Sequence, residues 1–272
     1  MHANEVTKTA STFTETRGFD ALARAGYAAR GVVYAMIGLL SIRLAEGVGT
    51  ARPNQQGAMN KIAHQPFGHV LLLALAIGLA GYAVWRFAQA FVGRTPEYGR
   101  HSSLDRIGAV GSGVAYAAFA VLAISVLRGT AGNSSAKPRS TTAGVLHWPA
   151  GRELVAAVGV LFIGIACYQA YLGLSKKFLH YSKVGEMSPV VLSAFTKAGA
   201  VGLVARAIAF ALIGLFVLKA AIDYKPRDAV GIDGALVRLT HHTYGTTALL
   251  VVAAGLMIFG AYSIADARYR KI

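Results

Sequence analysis

Three histidines occupy the same position in the three copies of an internal repeat. Their imidazole rings are the side chains of this sequence best suited to bind a metal. Each histidine lies four residues before a glycine at the start of an apolar segment: His64 before Gly68, His147 before Gly151 and His241 before Gly245. Because neutral imidazole is a common ligand of Zn²⁺ and Cu²⁺, three such rings around one axis would form a metal site. The alternative is three unconnected histidines whose polar ring atoms face the interface.

Two arginines occupy equivalent positions about one turn into apolar segments, Arg30 and Arg206, whereas the middle repeat has Ser112 there. Charges inside membrane helices are costly and usually functional, so these side chains are candidates for binding an anionic solute or lipid headgroup. The alternative is that each side chain extends to the interface or bonds loop carbonyls. Asp266, near the end of the last apolar segment, is a candidate to pair with Arg268 or with one of these arginines.

Small residues recur four positions apart on the first helix of each repeat. The pairs are Gly31 and Ala35, Gly113 and Ala117, and Ala207 and Ala211. This spacing places both members on one helix face, where a neighbouring backbone can approach closely. We therefore predict helix packing through these faces, with a narrow permeation path lined by the same face as the alternative.

The sequence carries none of the local motifs expected of a common enzyme class. It has no phosphate-binding glycine loop followed by lysine, no HExxH, no CxxC and no serine elbow. Cys167 is the only cysteine, so an intrachain disulfide is excluded. No cofactor is predicted, and haem is disfavoured because the histidines precede the apolar segments. We expect a protein that is not an enzyme.

The elements that must position these residues are six apolar segments. With 55% hydrophobic and 14% charged residues and a mean hydropathy of +0.50, the 272-residue chain has the composition of a membrane protein. Each segment has about the 20 residues that cross a bilayer core. The predicted spans are Gly26–Ala45, Gly68–Val92, Ile107–Leu127, Leu154–Leu174, Val201–Ile222 and Thr243–Ala265.

The six segments form three tandem copies of a two-helix unit. Tyr34, Tyr116 and Phe210 are equivalent on the first helices and lie 82 and 94 residues apart, while the glycines that begin the second helices lie 83 and 94 apart. We predict an all-α bundle of three parallel repeats with a possible pseudo-threefold arrangement. The predicted units are a polar N-terminal tail over 1–19 and repeats over 20–100, 101–190 and 191–272.

The net charge of +15 is explained by membrane topology, because the basic residues are scattered through short loops rather than gathered into a nucleic-acid-binding stripe. If the N-terminus is cytoplasmic, the cytoplasmic segments carry thirteen Lys and Arg residues against nine in the other three loops. Both termini are therefore predicted to be cytoplasmic. On the other side, segments beginning at Gly57 and Gly234 have the spacing of short surface helices.

The combination of three local patterns resembles the bacterial membrane family called domain of unknown function 1206. The patterns are "GYxARGVVY", "GAMxxIAxQPFG" and "DARYRKI", carried by Gly26, Arg30, Gly31, Tyr34, Gly57, Pro66, Gly68, Arg268, Tyr269 and Arg270. The resemblance implies three two-helix domains in the bacterial inner membrane but no activity. In the middle repeat, Ser112 departs from the pattern.

Three functions are compatible with these patterns. The first is a structural or accessory membrane protein that binds lipid or a membrane-protein partner through its close-packed helices. The second is a channel or carrier for a small anion or other solute, selected by Arg30 and Arg206. The third is an outward-facing metal site at the three repeated histidines. No nucleic-acid partner is expected.

Overall fold

The structure, a computed structural model, describes residues 17–48, 51–92, 94–95, 99–100, 103–240 and 244–271. Nine α-helices make up most of these residues. They are α1 Arg17–Ala45, α2 Gln55–Ala63, α3 Gly68–Val92, α4 Ser103–Leu127, α5 Lys137–Leu146, α6 Gly151–Leu174, α7 Pro189–Ile222, α8 Ile232–Leu239 and α9 Gly245–Tyr269. Two-residue strands, Arg94–Thr95 and Gly99–Arg100, pair antiparallel between α3 and α4. Short 3-10 helices are Lys177–Tyr181, Val184–Glu186 and Pro226–Asp228.

Helices α1, α3, α4, α6, α7 and α9 are long and apolar enough to cross a membrane, which confirms the predicted all-α polytopic fold. Helix α7 is the longest, with 34 residues. At 1.5 Å per residue it measures about 51 Å, more than a hydrocarbon core of about 30 Å requires. Its first turns, which follow the N-cap Ser188, therefore extend beyond the core on the side of the chain termini.

The long helices are arranged in sequence order around a ring. In each repeat the first long helix packs extensively on the second long helix of another repeat, giving the equivalent pairs α1 with α9, α4 with α3, and α7 with α6. Within repeats, α1 packs on α3 and α7 on α9. This is the neighbour pattern that the predicted pseudo-threefold arrangement requires.

The middle repeat breaks this pattern. Among the described helices, α4 and α6 share no contact comparable with that of α1 with α3 or of α7 with α9. Most of the surfaces of α4 and α6 are correspondingly exposed. We call this break in the ring the lateral seam, defined by the facing sides of α4 and α6.

Three of the small residues predicted to pack, Gly31, Ala35 and Gly113, lie where two helices contact each other. A Cβ atom on Gly31 would come within 2.6 Å of the carbonyl oxygen of Gly260 on α9, and one on Gly260 within 2.8 Å of the Ala35 Cβ. Gly113 faces the Phe87 ring of α3. Ala207 is 4% exposed, while Ala117 and Ala211 are half-buried. Close backbone approach is thus geometrically required at the α1–α9 crossing.

The glycines that begin the second helices have a shared structural cause. A Cβ atom would lie 2.4 Å from the Ile62 carbonyl oxygen at Gly68, 1.9 Å from that of Val145 at Gly151 and 1.8 Å from that of Leu239 at Gly245. In each repeat that carbonyl lies six residues earlier, near the end of the short helix. The chain therefore turns so tightly into the long helix that no side chain fits.

On the side opposite the termini, short helices α2, α5 and α8 cover the bundle. Helices α2 and α8 contain the segments predicted from Gly57 and Gly234, whereas α5 was not predicted. Residues of α2 such as Met59 and Ile62 are buried under the long helices. These helices therefore pack onto the bundle as caps.

Polar side chains join the three repeats on this side. Asn54 donates to the hydroxyl of Ser135 at 3.1 Å, and that hydroxyl donates to Asp233. Arg52 lies 3.8 Å from the same carboxylate. Gln56 donates to the Gly132 carbonyl at 2.6 Å. One connected polar group thus holds segments of all three repeats together where the ring is capped.

Candidate functional site

Two repeat positions face each other at each interface between repeats. The first is the position of Arg30, Ser112 and Arg206; the second lies eighteen residues after the leading glycine and contains Arg86, Gln169 and Ser263. At the α1–α9 interface Arg30 donates to Ser263, and the repeat makes Arg86 with Ser112, and Arg206 with Gln169, the equivalent positions of the other two interfaces. Each interface has one arginine. At the α1–α9 and α6–α7 interfaces it lies on the first helix of a repeat, whereas at the α3–α4 interface it lies on the second helix, α3. We call Arg30, Arg86 and Arg206 the arginine layer.

Arg30 is buried inside the bundle rather than directed to the interface. It is 9% exposed, and its Nε donates to the Ser263 hydroxyl at 3.2 Å. Its Nη2 lies 3.8 Å from Asp266 Oδ2, so the predicted pairing of Asp266 with a first-helix arginine is present. The guanidinium also lies over the rings of Tyr27 at 4.7 Å and Phe259 at 5.4 Å.

Arg206 is half-buried and has fewer polar partners. Its Nε donates to the Tyr34 hydroxyl at 3.0 Å, and its guanidinium lies 5.0 Å from the centre of the Phe259 ring. The terminal nitrogens donate no hydrogen bond to any residue that the structure describes. Because Phe259 also contacts Arg30, two cations from different repeats share one aromatic ring.

Arg86 completes the layer from α3. Its Nε donates to the Tyr82 hydroxyl at 3.1 Å and its Nη1 to Gln89 at 3.1 Å. The Tyr82 ring in turn packs on Tyr116 of α4 at 4.4 Å. These partners keep the Arg86 side chain within the bundle.

Asp266 is the carboxylate that faces these cations. It is 1% exposed and lies 3.4 Å from Arg270 Nη1 as well as near Arg30. The Ser182 hydroxyl donates to its other oxygen at 3.4 Å. Among the described residues, Arg30 and Arg270 pair with this carboxylate, whereas Arg86 and Arg206 have no acidic partner, so positive charge is in excess.

Three side chains of the interior faces remain partly exposed where the ring is broken. Arg206 and Phe210 on α7 and Ser112 on α4 are each half-buried although they belong to the interior faces of the ring. Phe162 of α6 packs on Phe210 at 5.8 Å. The excess positive charge thus lies beside an opening that is lined mainly by apolar and aromatic side chains.

The two repeated histidines that the structure describes both lie at exposed helix ends. His64 and His147 are exposed C-caps of α2 and α5, and His64 Nδ1 lies 2.7 Å from the Asn60 carbonyl oxygen. His241 lies outside the described residues. Among the residues that the structure describes, no three His, Cys, Asp or Glu side chains are grouped as a metal site. The metal hypothesis therefore gains no support from the described geometry.

Sequence reasoning gave no role in the site to several of its residues, namely Arg86, Gln169, Phe259, Ser263 and Arg270. For Arg86, Gln169 and Ser263 the signal is an alignment of the second helices, in which one polar residue recurs eighteen positions after each leading glycine. That alignment shows which residues are equivalent. It does not show which of them face the arginines, because this depends on contacts between different repeats.

Comparison with known proteins places the three repeats in a described family. Residues 25–93, 107–176 and 201–270 match the sequence model of a family described as Domain of Unknown Function (DUF1206). The protein named Uncharacterized protein YxxB from Bacillus subtilis (strain 168) is 32% identical over 251 residues, which cover 92% of this chain and 90% of that protein. No solved structure matches the chain. Each matched segment contains two of the long helices.

Proposed function

Because the chain belongs to the DUF1206 family, whose description assigns no activity, we propose a function from its structure: an accessory membrane protein that binds an anionic lipid headgroup in the arginine layer. The observation that carries the proposal is Arg206, a half-buried cation beside the lateral seam with unpaired terminal nitrogens among the described residues. The proposed activity is binding, not catalysis.

Charge balance supports an anionic ligand. An arginine at the centre of a membrane helix costs about 2.5–3.5 kcal/mol on insertion scales, unless it reaches water or finds a partner. Contacts with aromatic rings offset about 0.5–2 kcal/mol each. One carboxylate opposite four arginines leaves most of the charge unpaired. A phosphate bound by charge-assisted hydrogen bonds would supply the missing anion.

The geometry supports lipid more than a transported solute. The interior contains aromatic rings packed face to edge between the arginines, with Tyr34 and Phe259 at 4.9 Å. At the α1–α9 crossing the backbones approach too closely for side chains. A ligand arriving through the lateral seam avoids this packed centre, because only its headgroup has to reach Arg206.

We place the protein in the cytoplasmic membrane of a bacterium, with both termini in the cytoplasm. The bias of Lys and Arg toward the loops on the side of the termini supports this orientation. The similarity to a Bacillus subtilis protein supports a bacterial origin. In this orientation the arginine layer lies nearer the inner leaflet, whose anionic headgroups attract basic residues.

Lipid retention measured by native mass spectrometry tests the proposal. Wild type, Arg206→Gln and the matched control Arg43→Gln, which removes an exposed arginine from the far end of α1, would be incubated with phosphatidylglycerol in mild detergent. We expect about tenfold weaker binding in Arg206→Gln and no change in Arg43→Gln, since a hydrogen bond to a charged group contributes about 1.5–3 kcal/mol. Equal binding by all three proteins would rule the proposal out.

Flux through proteoliposomes separates binding from transport. A carrier or channel would move phosphate or chloride across the bilayer at a rate that falls in Arg206→Gln. The accessory proposal expects flux equal to that of protein-free vesicles. Proteins that co-purify from the native membrane with wild type but not with Arg206→Gln would indicate a subunit as the ligand in place of lipid.

A further inference from the structure

We propose that Gln169 and Arg206 together form a subsite for a phosphate ester that carries a hydroxyl group, such as a glycerol headgroup. The inference rests on the proposed lipid binding and specifies the headgroup chemistry. Its basis is a buried amide on α6 whose nitrogen and oxygen both lack a hydrogen-bond partner within the described chain.

Contacts between α6 and α7 fix the height of this amide. A Cβ atom on Gly214 would lie 2.8 Å from the Gly159 carbonyl oxygen, and one on Gly173 would lie 3.1 Å from the Leu203 Cβ. These contacts set the antiparallel register of the two helices. Counting inward from both contacts places residue 169 within about one turn of residue 206.

Burial fixes the direction in which Gln169 lies. From Val155 on, the buried residues of α6 recur along one helix face at alternating steps of four and three: Val155, Gly159, Ala166, Gln169 and Gly173, with half-buried Phe162 completing the series. Gly159 and Gly173, which lie on this face of α6, contact α7. Gln169, 6% exposed, therefore lies on the face that packs against α7.

The repeat shows what is unusual about this interface. At the equivalent α1–α9 interface, Arg30 donates to Ser263 and the polar pair is satisfied. At the α6–α7 interface, Arg206 donates to Tyr34 instead, and Gln169 is left without a partner in the described chain. A buried polar group without a hydrogen bond is costly, so the buried Gln169 amide points to a ligand that supplies one.

The donor and acceptor pattern defines that ligand. The terminal nitrogens of Arg206 and the amide nitrogen of Gln169 donate, which suits phosphate oxygens. The Gln169 carbonyl accepts, which suits a hydroxyl. An ammonium headgroup would be repelled by the surrounding arginines. A phosphodiester with hydroxyls satisfies every group, whereas phosphatidic acid, held as a dianion by the neighbouring arginines, has no hydroxyl to donate to the Gln169 carbonyl.

Headgroup preference measured on the full chain tests the subsite. Wild type, Gln169→Leu and the control Gln65→Leu, an exposed glutamine on the opposite side, would compete for phosphatidylglycerol and phosphatidic acid in nanodiscs. We expect wild type and the control to prefer phosphatidylglycerol by about fivefold, the contribution of one buried hydrogen bond. Gln169→Leu should bind both lipids equally while unfolding at the same temperature or higher.

A lipid preference that is unchanged in Gln169→Leu overturns the subsite. If the unfolding temperature is lowered as well, Gln169 bonds within the protein. If the unfolding temperature is not lowered, the amide has no part in headgroup binding. If Arg206→Gln still loses lipid, the proposed function survives either outcome. Soluble glycerol 3-phosphate that displaces phosphatidylglycerol, with the same dependence on Gln169, would support the subsite and assign it to a free phosphate ester. Displacement of the lipid by inorganic phosphate alone would contradict the requirement for a hydroxyl group.

Discussion

At the scale of single residues, Asp266 holds the positive cluster together. It is the carboxylate that both Arg30 and Arg270 face, and it is nearly inaccessible to solvent. A buried charge that loses its partner retains its full desolvation cost. The arginines contribute to folding only as long as this carboxylate, or a bound anion, neutralises them.

We predict that Asp266→Asn destabilises the protein by about 3–5 kcal/mol, as expected when one member of a buried ion pair is removed. The unfolding midpoint in detergent should fall by roughly 6–12 °C. Asp223→Asn is the matched control: a hydrogen bond from Lys219 at 2.9 Å lowers the pKa of Asp223, but both groups are largely exposed and the midpoint should barely change. Equal shifts in the two variants would contradict the assigned role of Asp266.

Anionic lipid should rescue part of that loss. Because added phosphatidylglycerol supplies negative charge to the arginine layer, the midpoint of Asp266→Asn should rise more on lipid addition than that of wild type. Phosphatidylcholine, whose headgroup carries no net charge, is the control lipid. A rise of the same size with both lipids would mean that the arginine layer does not bind the anion.

At the scale of elements, glycines determine how closely the helices approach each other, because they have no side chain to separate the backbones. Gly31 and Gly260 bring α1 and α9 into backbone contact, and the leading glycines bring each short helix against the next long one. The α1–α9 crossing in turn places Arg30 beside Ser263. Small residues therefore determine the position of the charged ones.

Gly31→Val should separate α1 from α9 and lower the stability substantially, because its side chain would overlap the Gly260 carbonyl and Ile264. The expected cost is about 1–3 kcal/mol or more, with weaker lipid binding as Arg30 loses its register. Gly108→Val is the control, since a Cβ atom there meets nothing within 4 Å. Thermal unfolding of both variants measures the difference, and equal stability would argue against a tight crossing.

The elements were predictable from the sequence, while the partners of the arginines were not. Hydropathy and self-similarity are local properties, so six spans and three repeats could be located without a structure. The Arg30–Ser263 bond joins residues separated by 233 positions, and its existence depends on which repeats become neighbours. The alternative in which Arg30 extends to the membrane interface follows from its position near a helix end alone, and the contacts between repeats bury the side chain instead.

At the scale of the whole molecule, an internal threefold pattern is broken once. The interfaces between repeats are equivalent, and the short helices are tied together on the side opposite the termini. The seam between α4 and α6 is where the middle repeat differs, and Ser112 is where its sequence departs from the other two. The break exposes a half-buried arginine to the membrane.

Labelling of single cysteines tests the predicted topology, in which both termini are cytoplasmic and the arginine layer lies nearer the inner leaflet. In a Cys167→Ala background, Trp148→Cys should react with a membrane-impermeant maleimide in intact cells, because the loop before α6 is assigned outside. Glu186→Cys, between α6 and α7, should react only after permeabilisation. Both positions are exposed. The reverse pattern would place the arginine layer near the outer leaflet.

The most direct measurement of the central claim is an experimental density map of the protein in nanodiscs containing phosphatidylglycerol. The account predicts headgroup density at the lateral seam, with phosphate oxygens about 2.7–2.9 Å from the terminal nitrogens of Arg206. Acyl chains should lie between α4 and α6. A well-ordered map in which Arg206 and Gln169 bond to each other, with no lipid between the helices, would contradict it.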